Sequence, residues 1–237
     1  MMNNSKEEFV LYKGEKIEVK NGELYLPFEL ERFDEIEGLE MLTNLKKLHY
    51  DGIHLKKIEI IDHLKTLESL IVRGDNLSKI ENLDNLTNLK VLDLTDSNIA
   101  EIENLEHLRN LEILLLGKSF ETSTSNYITE IKGLDNLSNL KELDLYRNRI
   151  KVIKGLEALT NLKILNLSYN QIREIEGFDN LSNLEQLYLR HNKITEIKGL
   201  DNLINLKELR INGNGPFKSN SMKILENMKK NGIDVWY

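Results

Sequence analysis

Three tyrosines, Tyr146, Tyr169 and Tyr188, recur along the chain at wide and nearly regular intervals, with Arg147, Arg190, His191 and Arg210 close by. Tyrosine and arginine combine large contact area with a polar tip, so together they suit recognition of another protein rather than bond making. Ile71 and Leu115, with Ile113, form a second, apolar group nearer the N-terminus, and Arg73 stands beside Ile71. Phe120 and Tyr127 flank a Ser/Thr-rich stretch, KSFETSTSNY. Bond-making chemistry finds little material. The five histidines are scattered. His63 and His107 share a repeat position but lie two repeats apart, too far to share a metal. Asp93, Asp96 and Asp144 are carboxylates that no sequence pattern pairs or perturbs. There is no phosphate loop, nucleophile elbow or HExxH. The chain has no cysteine, which excludes disulfides, Cys-ligated metal and thiol catalysis. The expectation is a non-enzymatic chain that needs no cofactor and no metal.

Charge narrows the partner class. The net charge is −7, and a general nucleic-acid binder needs a basic face to displace phosphate counterions. Residues 1–44 hold 11 acidic and 5 basic residues, so most of that charge sits at the N-terminal end. This acidity reads as a solvated cap or as a docking patch for a basic partner. The opening MMNNSKEEFV lacks an apolar signal-peptide core. No apolar run approaches the ~20 residues that span a bilayer. On these readings no nucleic acid and no membrane is expected, and a cytoplasmic location is.

The elements that position these residues follow from a period. Leu45, Leu67, Leu89, Leu111, Leu140, Leu162, Leu184 and Leu206 start units of 22 residues, and one step, from Leu111 to Leu140, is seven residues longer. Each unit reads L-x-x-L-x-L-x-x-N-x-I-x-x-I-x-G-L-x-x-L-x-N. In the unit at 162–183, alternation around Leu165 and Leu167 is the signature of a short strand. Ile172, Ile175, Phe178 and Leu181 are then spaced by three, which fits 3₁₀ or tight turns better than an α-helix. Asn148, Asn170, Asn192 and Asn214 share one offset. A buried amide there can satisfy backbone groups of the neighbouring coil. Gly133, Gly155, Gly177 and Gly199 share another offset, the mark of a recurring tight bend.

This pattern resembles the leucine-rich repeat family in its 22-residue form, over roughly residues 23–216. Within that family it looks most like the leucine-rich-repeat regulatory subunit of type-1 protein phosphatase and the internalins, bacterial surface proteins that grip host receptors. The resemblance implies an α/β solenoid: a right-handed curved superhelix with a concave parallel β-sheet, a convex side of short 3₁₀ segments and turns, and a cap at each end. It also implies a protein-binding scaffold or regulator, with a phosphatase or small GTPase as partner class, or alternatively a surface adhesin.

Four segments follow. Residues 1–22 are an N-terminal tail and β-hairpin cap, with Asn21-Gly22 as hairpin signal; the antiparallel cap is read as extending over 9–28. Residues 23–44 are a degenerate first repeat, and 45–216 are the array, with its insertion within 118–127. Residues 217–237 are a helix-strand cap, in which Ser219 or Ser221 caps the helix, Met222, Leu225 and Met228 face inward, and Trp236 or Tyr237 packs over the last coil. Covered ends predict a monomer.

Alternation turns the neighbours of the central leucines onto the concave face. Tyr146, Tyr169 and Tyr188 then form a diagonal flanked by Arg147, Arg190, His191 and Arg210. The insertion leaves beside Leu115, where Phe120 and Tyr127 can reach the same face or a partner.

Overall fold

In each unit a pair of apolar residues, leucines in most, points inward from the strand, and no coil can bury that pair alone. The computed structural model describes residues 8–74, 76–119 and 127–237 and shows how the coils stack. Strands β1 (Phe9–Tyr12), β2 (Glu15–Glu18), β3 (Glu23–Tyr25), β4 (Ile36–Glu37) and β5 (Lys47–Asp51) make up the N-terminal end. Then follow β6 (Ser69–Arg73), β7 (Val91–Asp93), β8 (Ile113–Leu115), β9 (Glu142–Asp144), β10 (Ile164–Asn166), β11 (Gln186–Tyr188) and β12 (Glu208–Arg210). Helix α1 (Ser219–Lys230) and β13 (Asp234–Trp236) close the chain. The main sheet runs β3, β5 to β12 in order, then β13, and its pairs are parallel.

Leu70, Leu92, Leu114, Leu143, Leu165, Leu187 and Leu209 stand side by side in register and are fully buried. The convex side is built mainly of turns. Leu159 N–H donates to the Leu156 carbonyl and Leu162 N–H to that of Leu159, each at 3.0 Å. Among the described residues, 3₁₀ helices appear only at Phe33–Glu35 and Leu39–Met41, within the degenerate first unit.

The asparagine ladder works as its chemistry predicts. Asn170 accepts Ile150 N–H (2.9 Å) and donates to the carbonyls of Leu145 (2.9 Å) and Leu167 (3.1 Å). Asn148, Asn192 and Asn214 repeat this scheme. Each amide thus joins one coil to its neighbour and satisfies backbone groups that the sharp turn leaves unpaired.

The caps differ in detail from the sequence reading. A first hairpin turns at Lys13-Gly14, and the expected turn at Asn21-Gly22 closes a second, two-residue one through the antiparallel Lys20–Glu23 bridge, with all four turn residues at positive φ. β1 pairs antiparallel with both β2 and β4 in a separate three-stranded sheet. Asn21-Gly22 makes a tight turn that feeds β3 into the main sheet, so β3 is a parallel strand rather than part of the cap. At the other end Lys218 holds the helix N-cap position without a side-chain cap bond. Ser221 lies inside the helix, and its Oγ accepts Ile197 N–H at 2.9 Å. Leu225 is buried, with Ile224 and Met228 packed against the core; Ile224 takes the role expected of Met222. Trp236 does not pack over the last coil. It is 58% exposed on the sheet face, because alternation sends Val235 inward instead.

Candidate functional site

The concave face carries parallel rows of side chains, one residue per coil, along strands ~4.8 Å apart. The central row is Tyr25, His49, Ile71, Asp93, Leu115, Asp144, Asn166, Tyr188, Arg210 and Trp236. A second row, two residues further along each coil, includes Arg73, Thr95, Gly117, Tyr146, Ser168 and Arg190.

The predicted tyrosine diagonal is two groups rather than one line. Tyr146 meets the edge of Tyr169, with ring centroids 5.2 Å apart, and Tyr169 stacks on His191 at 4.3 Å. The Arg147 guanidinium lies 5.9 Å from the Tyr146 ring and 5.7 Å from that of Tyr169, and it donates to the Ser119 carbonyl at 3.0 Å. Arg147, Tyr169 and His191 all adopt positive φ at the corner just past the strand. The left-handed corner swings their side chains along the rim, so that they stack coil upon coil. Tyr188 belongs to the central row instead, between Asn166 and Arg210.

Arg210 is held on three sides. Its Nε donates to Glu208 at 2.7 Å and its Nη2 to Asp234 at 2.9 Å, and the guanidinium lies 4.6 Å from the Trp236 ring centroid. Sequence reasoning treated Trp236 as cap packing; its place on this face was readable from the alternation in DVW. Arg190 is exposed and lines the same depression as Tyr146 and Tyr188.

The N-terminal group is less continuous than predicted. Asp93 stands between Ile71 and Leu115 in the row and interrupts the aliphatic patch. Arg73 spends its charge on Asp93, at 2.6 Å. Phe120 lies outside the described residues. Tyr127 takes the position that Arg149 occupies in the next coil, on the flank and not over the face, because the ladder register resumes at Ile128. Arg149 stacks on its ring at 4.5 Å.

The carboxylates need correction too. Each is engaged by neighbouring groups, for structural reasons. Asp93 is buried against Arg73, and Asp96 accepts Ser119 N–H at 2.6 Å. Burial pushes the Asp144 carboxyl up, against the N–H of Tyr146 (2.7 Å) and the amide of Asn166 (3.1 Å), which favour its charged form. Asp144 has this room because Gly117 stands opposite: a Cβ there would meet Asp144 Oδ1 at 2.6 Å. Among the described residues no group of three His, Asp or Glu side chains could hold a metal ion.

The sequence family described as Leucine Rich repeats (2 copies) matches residues 138–180 and 182–222. The stacked parallel strands and the asparagine ladder run through these matched segments. These are leucine-rich repeats. No curated protein matches by sequence. Among solved structures the leucine-rich-repeat array is similar to an internalin, InlF, from Listeria monocytogenes: TM-score 0.69, 26% identity, 87% of this chain and 57% of that one. It is similar to internalin C2 of the same organism, with TM-score 0.58, 28% identity, and 68% and 69% of the two chains. It shares its fold with the functional domain of InlJ, also from Listeria monocytogenes: TM-score 0.62, 21% identity, 81% of this chain and 44% of that one. The chain thus spans little more than half the length of the InlF chain. Leucine-rich repeats of this kind are protein-binding scaffolds as a class, with a rigid sheet that presents side chains from many coils.

Proposed function

We propose that this chain binds a protein partner on the C-terminal half of its concave face. The observation that carries the reading is the continuous aromatic and cationic surface there. Tyr146, Tyr169 and His191 stack along the rim, and Tyr188, Arg210 and Trp236 run beside them in the central row. These residue types dominate interface hot spots, and a ten-stranded sheet holds them in place before binding, which lowers the entropic cost of association.

The role is one of binding rather than catalysis: Asp93, Asp96 and Asp144 are each engaged with neighbouring structural groups. A cytoplasmic location and a monomeric state belong to the same proposal. It does not extend to a phosphatase or small-GTPase partner, which none of the structural likenesses above supports. A second reading, a receptor-binding role at a cell surface, is favoured by the likeness to internalins.

The test captures partners with the wild type and with a folded Tyr146/Tyr169/Tyr188→Ala variant, and tracks the protein by fractionation. A partner lost by the variant supports the concave face. A partner retained by both moves the site elsewhere. Recovery outside the cytoplasm selects the second reading.

A further inference from the structure

A shallow cup opens on the proposed binding face, lined by Tyr146, Asn166, Ser168, Tyr188, Arg190 and Arg210. Its lining holds two guanidinium groups and no carboxylate. Elsewhere on the sheet, cations are paired with acids. Arg73 sits on Asp93, and along the sheet flank Lys46, Glu68 and Lys90 alternate in contact, as do Lys163, Glu185 and Lys207. In the cup, Arg190 departs from that rule.

The Arg190 guanidinium is exposed and has no ion-pair partner among the described residues. Arg210 gives Nε to Glu208 and Nη2 to Asp234, and its buried Nη1 has no hydrogen-bond partner. A buried unpaired donor is costly, and more so on a charged group. It is also pre-organised, since the two carboxylates and the Trp236 ring hold the guanidinium plane. Ser168 Oγ accepts the Arg190 N–H at 3.2 Å, which leaves its own hydroxyl proton to donate.

Charge decides the kind of anion. Arg190 and Arg210 bring two positive charges against the two negative charges of Glu208 and Asp234, so the four groups are neutral together, and Arg190 is the cation among them that makes no ion pair among the described residues. A carboxylate brings the single negative charge that pairs with Arg190. A doubly charged phosphate would leave excess negative charge beside Glu208 and Asp234. The planar fork of a guanidinium also matches a carboxylate.

We propose that the cup receives the carboxylate of an aspartate or glutamate side chain of the protein partner, held by the exposed guanidinium of Arg190, with the Tyr146 and Tyr188 rings against its stem. This rests on the concave-face reading and adds the chemistry of the group that enters it.

The probe is a phage-displayed random peptide library, selected on wild type, on Arg190→Gln and on Tyr169→Ala, each confirmed folded by circular dichroism. Arg190→Gln alters the cup; Tyr169→Ala alters the face outside it. Clones selected on wild type are expected to share one acidic position. Changing that residue to its amide should weaken binding about tenfold or more, and Arg190→Gln should do the same. The two changes together should cost little more than either alone. Clones that lose binding with Tyr169→Ala but share no acid and ignore Arg190→Gln overturn the cup and leave the concave face standing. Clones indifferent to both substitutions overturn both readings. A library yielding no clone that depends on Arg190 also overturns the cup.

Discussion

At the scale of the residue, Asp144 shows a carboxyl whose protonation the fold alters. Burial raises its pKa above the ordinary carboxylate value. A raised acid binds its proton more tightly in the folded state, so folding is disfavoured while the group is ionised. As pH falls from neutral through the raised pKa, that cost is relieved, and the gain is complete once the unfolded chain is protonated too. Asp144→Asn removes the titration. The variant should therefore be more stable relative to wild type at pH 7 than at pH 3, by urea unfolding at both. An unchanged difference would mean that Asp144 titrates alike folded and unfolded. Glu68 behaves oppositely. Lys90 and Lys46, at 2.7 and 2.9 Å, hold its exposed carboxyl down to about 2, so what it contributes is present above the ordinary range and fades as pH falls toward 2. Sequence alone distinguished neither, because both depend on what the adjacent coil places opposite.

At the scale of the element, the repeating left-handed corner on the convex side sets the bend of each coil. Gly38, Gly133, Gly155, Gly177 and Gly199 occupy it at positive φ, and so do Ile60, Asn82 and Asn104. Gly133, Gly155, Gly177 and Gly199 lie against a carbonyl of the preceding coil; a Cβ on Gly155 would meet the Ile131 oxygen at 2.5 Å. Asn82 and Asn104 donate to the Ile58 and Ile80 carbonyls of the coil before, at 2.6 and 2.7 Å. Ile60 has neither device. A β-branched residue in this region costs ~1–3 kcal/mol, and Ile60, at 44% exposed, buries too little surface to offset it. Ile60→Gly should stabilise the chain by about 1 kcal/mol after the entropy cost of glycine, raising Tm by ~2–4 °C in calorimetry. A lower Tm would place the strain elsewhere. The glycine series was legible as a shared offset, whereas Ile60 and the two asparagines were not, since neither type signals a left-handed corner by itself.

At the scale of the whole molecule, the array survives because both ends of its core are covered. At the C-terminal end α1 buries Leu225, and β13 pairs with β12, covering Leu209 and Ile211 with Val235. Deleting residues 217–237 removes this cover and exposes an unpaired sheet edge. The truncated chain should lose several degrees of Tm and associate, read by size-exclusion chromatography with light scattering. A truncated chain that stays monomeric with an unchanged Tm would show that the last coil caps itself.

The amino-acid sequence by itself determined the repeat, the strand in each unit, the core leucines and the asparagine ladder. All follow from a local period, and a period of 22 residues leaves one way to stack coils with every leucine inside. It also determined which residues look out of the sheet, since side chains alternate along a strand. Only the tertiary structure decided how those residues meet. Arg73 and Asp93 are 20 residues apart and pair because two strands are neighbours. Arg147, Tyr169 and His191 stack because three corners share a left-handed turn, and Arg210 finds Asp234 and Trp236 because the final strand lies parallel to its own. The period places each residue on a face. The contacts between coils select which faces carry free charge, and that selection makes one part of the sheet a candidate site.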